Sequence, residues 1–176
     1  LNFKCFSSEL TLDIGNYEYE ESVEDSYFMS DKADPFLASI GLRNISNFKF
    51  DKSLLNFSYN GEFTFGDISY DSPRSGTMET YYYKFRIETY LGINTRNYKF
   101  FKPYVGLGYR WLYDNSGGKI SSKGHYGYDR KSQYLYAPIG IIYRFKNNIT
   151  IKQQYNYFIN GIQNSYLSTA SKYYSD

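Results

Sequence analysis

The stretch TYYYKFRIETYLGI, residues 80–93, alternates with a period of two. Tyr81, Tyr83, Phe85, Ile87, Leu91 and Ile93 form an apolar row broken only by Thr89. Tyr82, Lys84, Arg86, Glu88, Tyr90 and Gly92 stand between them. Successive side chains of an extended chain point to opposite faces, so this is a strand with one apolar and one charged face. Such a strand suits two opposite kinds of barrel. A soluble barrel turns the charges to water, and a membrane barrel turns the apolar row to lipid and encloses the charges.

Six further segments alternate in the same way. They are Glu9–Gly15, Phe36–Ile45, Leu54–Gly66, Phe101–Tyr113, Tyr134–Phe145 and Ile149–Ile159. Each is near the ~9–11 residues that cross a bilayer when tilted. The connections alternate in length: 17–35, 67–79, 114–133 and 160–176 are long and polar, whereas 46–53, 94–100 and 146–148 are short. Long loops at one end and tight turns at the other are the pattern of outer-membrane barrels. Bacterial barrels of this kind have an even strand count, so the tail STASKYYSD reads as an unfinished loop before an eighth strand. The expected fold is therefore all-β, an antiparallel up-and-down transmembrane β-barrel, eight-stranded when complete, with seven strands present. Residues 1–176 are expected to form a single outer-membrane β-barrel domain truncated before its last strand; the start at Leu1 reads as a removed signal peptide or a fragment, and the tail favours the fragment.

Composition agrees without deciding. Aromatic residues reach 22%, as in strand-rich chains. The mean hydropathy of −0.60 is uninformative, because an alternating membrane strand averages to hydrophilic. No apolar run approaches the ~18 residues of a spanning helix. A net charge of +2 with no basic cluster gives no reason to expect nucleic acid. Cys5 is alone, which excludes a disulfide framework, and the bulky Phe3 and Lys4 before it fit a lipoprotein anchor poorly.

The polar faces decide the orientation. They hold Gly15, Gly41, Gly66, Gly92, Gly106, Gly108 and Gly140, and glycine weakens a strand that merely faces water. A narrow barrel interior needs small residues among a few large ones. Enclosed charges must be compensated, so a lumen network is expected from Asp13, Glu62 and Glu88 with Arg43, Lys84, Arg86, Lys102, Arg110, Arg144 and Lys152. Glu9 lies near its rim. On the apolar faces, Tyr81, Tyr83, Tyr109, Trp111, Tyr113 and Tyr157 fall toward the long-loop end, as an aromatic girdle would. The alternative is a soluble lipocalin-like barrel, whose usual Gly-x-Trp in the first strand is missing; the single tryptophan, Trp111, is in the fifth.

PYVGLGYRWLYD, GYDRKSQYLYAPIGIIYRF and YNYFINGIQNSYLS (residues 103–168) resemble small bacterial outer-membrane proteins of the OmpA-like and opacity-type eight-stranded family. LTLDIGNYEYEE followed by FMS resembles the opening strand and first loop of the same family. The resemblance implies a bacterial outer-membrane location and a final strand after SYLS that the insertion machinery reads. It implies no reaction.

Chemistry is sparse. His125, the only histidine, lies in SSKGHYGYDR with Ser121, Ser122 and Asp129, a loop that presents no constrained catalytic set. The first loop carries Glu18, Glu20, Glu21, Glu24, Asp25, Asp31 and Asp34 against Lys32. Such loops can hold calcium or magnesium, but a solvated acidic loop is the expected reading. Arg130 and Lys131 either meet lipopolysaccharide phosphates or close the loop through Asp129. No catalytic residue, cofactor or metal site is expected. The expected role is a monomeric envelope protein that presents loops for structure, adhesion or interaction, in contact with outer-membrane lipids and lipopolysaccharide. A small porin-like channel and a lipid-modifying enzyme are the rivals.

Overall fold

Alternation becomes strand throughout. The computed structural model describes the backbone of residues 2–49, 55–93, 101–145 and 149–171, and their side chains except at 2–8, 23, 43–49 and 171. Within these lie β1 (Asn2–Gly15), β2 (Glu18–Val23), β3 (Ser26–Ala33), β4 (Leu37–Lys49) and β5 (Leu55–Ser72). They are followed by β6 (Gly76–Ile93), β7 (Phe101–Asn115), β8 (Asp129–Arg144), β9 (Thr150–Tyr166) and the short helix α1 (Ser168–Ser171). All pairings are antiparallel, in the order β1-β4-β5-β6-β7-β8-β9. Among the described residues the sheet is open, with β1 and β9 as its edges.

Residues 17–35 are not the loop that their polarity suggests. β2 pairs with β3, and β3 pairs with the part of β5 that extends beyond β4, Ser30 to Asp71 through Ala33 to Ile68. The β1–β4 hairpin is thus continued upward by β2–β3. The break between β3 and β4 falls at Pro35, which has no N–H to give a ladder. The turn uses Glu24 and Asp25, both at positive φ, as a two-residue hairpin of the primed type requires. Neither residue is the glycine or asparagine that signals such a turn. The expected loop 67–79 likewise shrinks to the turn between Ser72 and Gly76, β8 begins at Asp129, and β9 runs on to Tyr166. The short connections and the tail beyond 171 lie largely outside the described residues.

The sheet curls strongly. Gln154 on β9 donates to Glu88 on β6 at 3.1 Å, and Lys152 on β9 donates to the Tyr90 hydroxyl on β6 at 3.3 Å. Three strand steps of about 4.8 Å would hold these residues about 14 Å apart in a flat sheet. One face is therefore interior. Glu88 and Thr64 on it are each 1% exposed, whereas Leu12 and Leu107 on the other face are 76% and 53% exposed. A bulge at Leu135/Tyr136 changes the phase of β9. Up to the bulge Phe158 pairs with inward Tyr136 and packs on Tyr134 at 6.4 Å; beyond it Gly161 stands opposite Tyr134.

Candidate functional site

The interior is built from tyrosine and glycine set opposite one another. Tyr82 pairs with Gly66, Tyr90 with Gly106, Tyr104 with both Gly92 and Gly140, Tyr136 with Gly108, and Tyr134 with Gly161. A Cβ at Gly108 would run into the Tyr136 ring, and one at Gly140 into the Tyr104 ring and the Gln153 carbonyl. At Gly108, Gly140 and Gly161 the paired ring lies over a position that has no side chain to resist it. This is the small-with-large filling that a tightly curved sheet requires.

Charges are fitted between these rings. Glu62 on β5 takes an ion pair from Arg86 and another from Lys84 at 3.1 Å. Thr64 joins the cluster, donating to Glu62 at 3.3 Å and bonding Ser39 at 2.9 Å. Glu88 accepts from the Tyr90 hydroxyl at 2.5 Å, the Tyr136 hydroxyl at 2.9 Å and the Gln154 amide. Arg86 Nε stands 4.0 Å from it, too far for a hydrogen bond. Two of the remaining cations are met by rings: Arg110 lies 4.7 Å from the Tyr134 centroid, and Lys152 lies 4.6 Å from Tyr90 and 5.3 Å from Tyr104. Ring quadrupoles attract cations, so the surplus of positive charge in the sequence needs no equal number of carboxylates. Toward the short turns the interior opens into a cavity of about 240 Å³. The charged groups lining it are Glu9, Asp13, Glu62, Lys102 and Lys152.

At the long-loop end the interior is closed. Leu37, Ile68 and Tyr82 form a buried apolar layer, completed by Tyr17, Ala33 and Leu112, with the Tyr17 and Tyr82 rings 5.0 Å apart. Arg130 shares one guanidinium nitrogen between Asp31 at 3.2 Å and Asp114 at 3.4 Å. Ser116 also donates to Asp114, at 2.5 Å. Burial outweighs the nearby Arg130 and raises the Asp31 carboxyl to about 6; Asp114 is raised in the same direction and for the same first cause. Burial likewise pushes the Tyr17 hydroxyl up to about 12.

The structure joins Glu62, Lys84, Arg86 and Glu88 into one network and sets Arg110 and Lys152 on tyrosines. Asp13 and Arg144 are exposed, and Lys102 lines the cavity. The Arg43 side chain lies outside the described residues. Of the expected girdle, Tyr83 stands opposite Tyr113, and Tyr109, Trp111, Tyr113, Tyr81 and Tyr83 share one face of β6–β7. Trp111 stacks on Tyr113 at 5.9 Å, and the Tyr109 hydroxyl donates to Gln133 at 2.7 Å. Tyr157 sits apart on β9, opposite Ala137.

In the loops, Asp129 accepts from the Gly117 N–H at 2.7 Å and the Tyr113 hydroxyl at 2.9 Å, while Arg130 turns inward. His125 is exposed and is tied to Ser121 through its main chain. The acidic residues of 17–35 are divided by strand alternation: Glu18 pairs Lys32 at 2.9 Å on one face, and Asp31 is buried on the other. Among the described residues no three His, Cys, Asp or Glu side chains gather as a metal site.

The interior tyrosines are the principal residues that sequence reasoning left without a role. Their signal was present, since they sit on the glycine-bearing faces. The sequence matches no protein-family model, and neither a curated protein nor a solved structure matches it.

Proposed function

We propose that this chain is an integral outer-membrane protein of the β-barrel type, with a structural or surface-interaction role and no catalysis. The observation that carries the reading is the inverted polarity of the sheet. An ion cluster and its tyrosines fill the inside, while Leu10, Leu12, Ile14, Leu91, Val105, Leu107 and Ile139 stand exposed on the outside. Contiguous apolar surface on that scale is rare where water is the solvent, and it is what a bilayer core requires. In this reading residues 9–15, 37–45, 55–66, 81–93, 101–113, 134–145 and 149–159 cross the membrane. The β2–β3 hairpin, the 67–80 hairpin and the 114–133 segment then stand above it. The architecture we propose is that of the eight-stranded OmpA-like barrels.

The apolar layer of Leu37, Ile68 and Tyr82 argues against a channel, because it blocks the interior beneath the loops. Refolding into lipid vesicles tests the proposal. A vesicle-bound, β-rich species whose gel migration shifts on heating supports it. A folded protein that stays in the aqueous phase overturns it in favour of a soluble binding barrel. Steady single-channel conductance in planar bilayers would instead favour the porin-like reading.

A further inference from the structure

Above the apolar layer, the β2–β3 hairpin, the β5–β6 hairpin and the 114–130 segment enclose a second cavity, of about 380 Å³. That size falls within the range of small-molecule pockets. Its composition is specific. Phe28, Tyr70, Tyr126 and Tyr128 contribute aromatic rings, and Met29 and Met78 contribute thioethers. The charged groups reaching it are Glu21, Asp114 and Arg130.

The charge does not cancel. Arg130 is already divided between Asp31 and Asp114 through a single nitrogen, so these three groups carry one net negative charge when ionised. Glu21 adds a second. A cavity with aromatic walls and residual negative charge attracts cations twice, through ring quadrupoles and through its carboxylates. It repels anions for the same reasons. Thioethers add polarizable, adaptable contacts for an apolar body.

We propose that this cavity binds a small organic cation, a quaternary or protonated amine on a short apolar body. The site depends on the cap alone and not on which solvent meets the strands. Vesicle partition and the heat shift therefore test the membrane reading separately.

The test is calorimetric titration of the folded protein in a neutral, sugar-headed detergent. Three probes are used: choline, its uncharged carbon isostere neohexanol, and glycerophosphocholine, which carries the same cation as a lipid headgroup does. Choline is expected to occupy one site per chain, with neohexanol about tenfold weaker or more. Phe28→Leu keeps the apolar volume without the ring, and Glu21→Gln removes one charge. Phe28 is exposed and Glu21 half-buried, both changes keep the side chain's size, and each is expected to weaken choline about three- to tenfold. Tighter binding of glycerophosphocholine than of choline identifies a headgroup as the source of the cation, and the reverse order identifies a free amine. Absence of choline binding overturns the proposal. So does equal binding of neohexanol, or choline affinity unchanged in both variants.

Discussion

Gln154 on β9 and Glu88 on β6 are hydrogen-bonded at 3.1 Å across two intervening strands. The bond measures the curl of the sheet and also explains how a carboxylate only 1% exposed is tolerated. Glu88 is held chiefly by neutral donors, two tyrosine hydroxyls and this amide, while Arg86 turns its terminal nitrogen to Glu62. Buried charge without such partners costs several kcal/mol. The curvature that encloses the charge also delivers the donors.

The Arg86–Glu62 pair is half-buried, with side chains 30% and 17% exposed. Arg86→Ala is expected to destabilise by about 2–3 kcal/mol, less than for a fully buried pair because water screens part of the charge. A double-mutant cycle with Glu62→Ala, read from urea unfolding in micelles, should give a coupling of about 1 kcal/mol or more. Additive effects would mean that the two side chains do not act as a pair.

Leu107 lies on the outward face of β7 and is 53% exposed. In a bilayer, Leu107→Arg is expected to cost about 2–4 kcal/mol near the midplane. The measurement is folding efficiency into vesicles across a urea series. A neutral result, shared by Ile87→Arg, would mean that this face is wet.

Gly108 and Tyr136 are register partners, and the ring fills the space of the absent Cβ. Gly108→Leu should destabilise by about 1–3 kcal/mol through overpacking. Adding Tyr136→Gly to that variant should recover part of the loss by restoring one large and one small residue. Full recovery is not expected, because the hydroxyl bond to Glu88 is gone. If the second change deepens the defect, the pair is not a packing unit.

Asp31 has a folded pKa of about 6 against an ordinary 3.8, raised chiefly by burial. The folded cap therefore binds a proton more tightly than the unfolded chain. This contribution to stability is fully present below the ordinary value and is lost as pH rises from about 4 to about 6, on the order of 3 kcal/mol. Thermal unfolding followed by heat-modifiable migration should show it as a falling midpoint across that window. Asp31→Asn should flatten the slope in that window, leaving any share owed to Asp114, which shifts in the same direction. An unchanged profile in that variant would place the titration elsewhere.

Asp25 holds a φ of 60° in the β2–β3 turn, a region costly for residues with a Cβ. Asp25→Gly should stabilise the hairpin by up to about 1 kcal/mol, the strain relieved being partly offset by glycine's greater freedom when unfolded. Slower amide exchange across β2 and β3 is the expected result. Faster exchange would mean that the aspartate side chain contributes more than its backbone costs.

By itself, the sequence determined the phase of the strands along the apolar outward face. Phe85, Ile87 and Leu91 had to share one face and Lys84, Arg86 and Glu88 the other, because alternation belongs to a single extended backbone and needs no partner. The same local signal failed toward the long-loop end. There the outward row becomes polar, and β2–β3 is stabilised by pairing with β5 and by the buried Asp31 contact, neither of which is visible within residues 17–35. Within β9, the phase held only to Phe158, because a bulge arises from how two strands fit.

Tertiary structure decided which inward residues meet. Arg130 reaches Asp31 from 99 residues away, and Lys152 finds Tyr90 only because the sheet curls. Register and curvature are properties of many strands together, so only the fold could set two of the surplus cations, Arg110 and Lys152, against tyrosine rings.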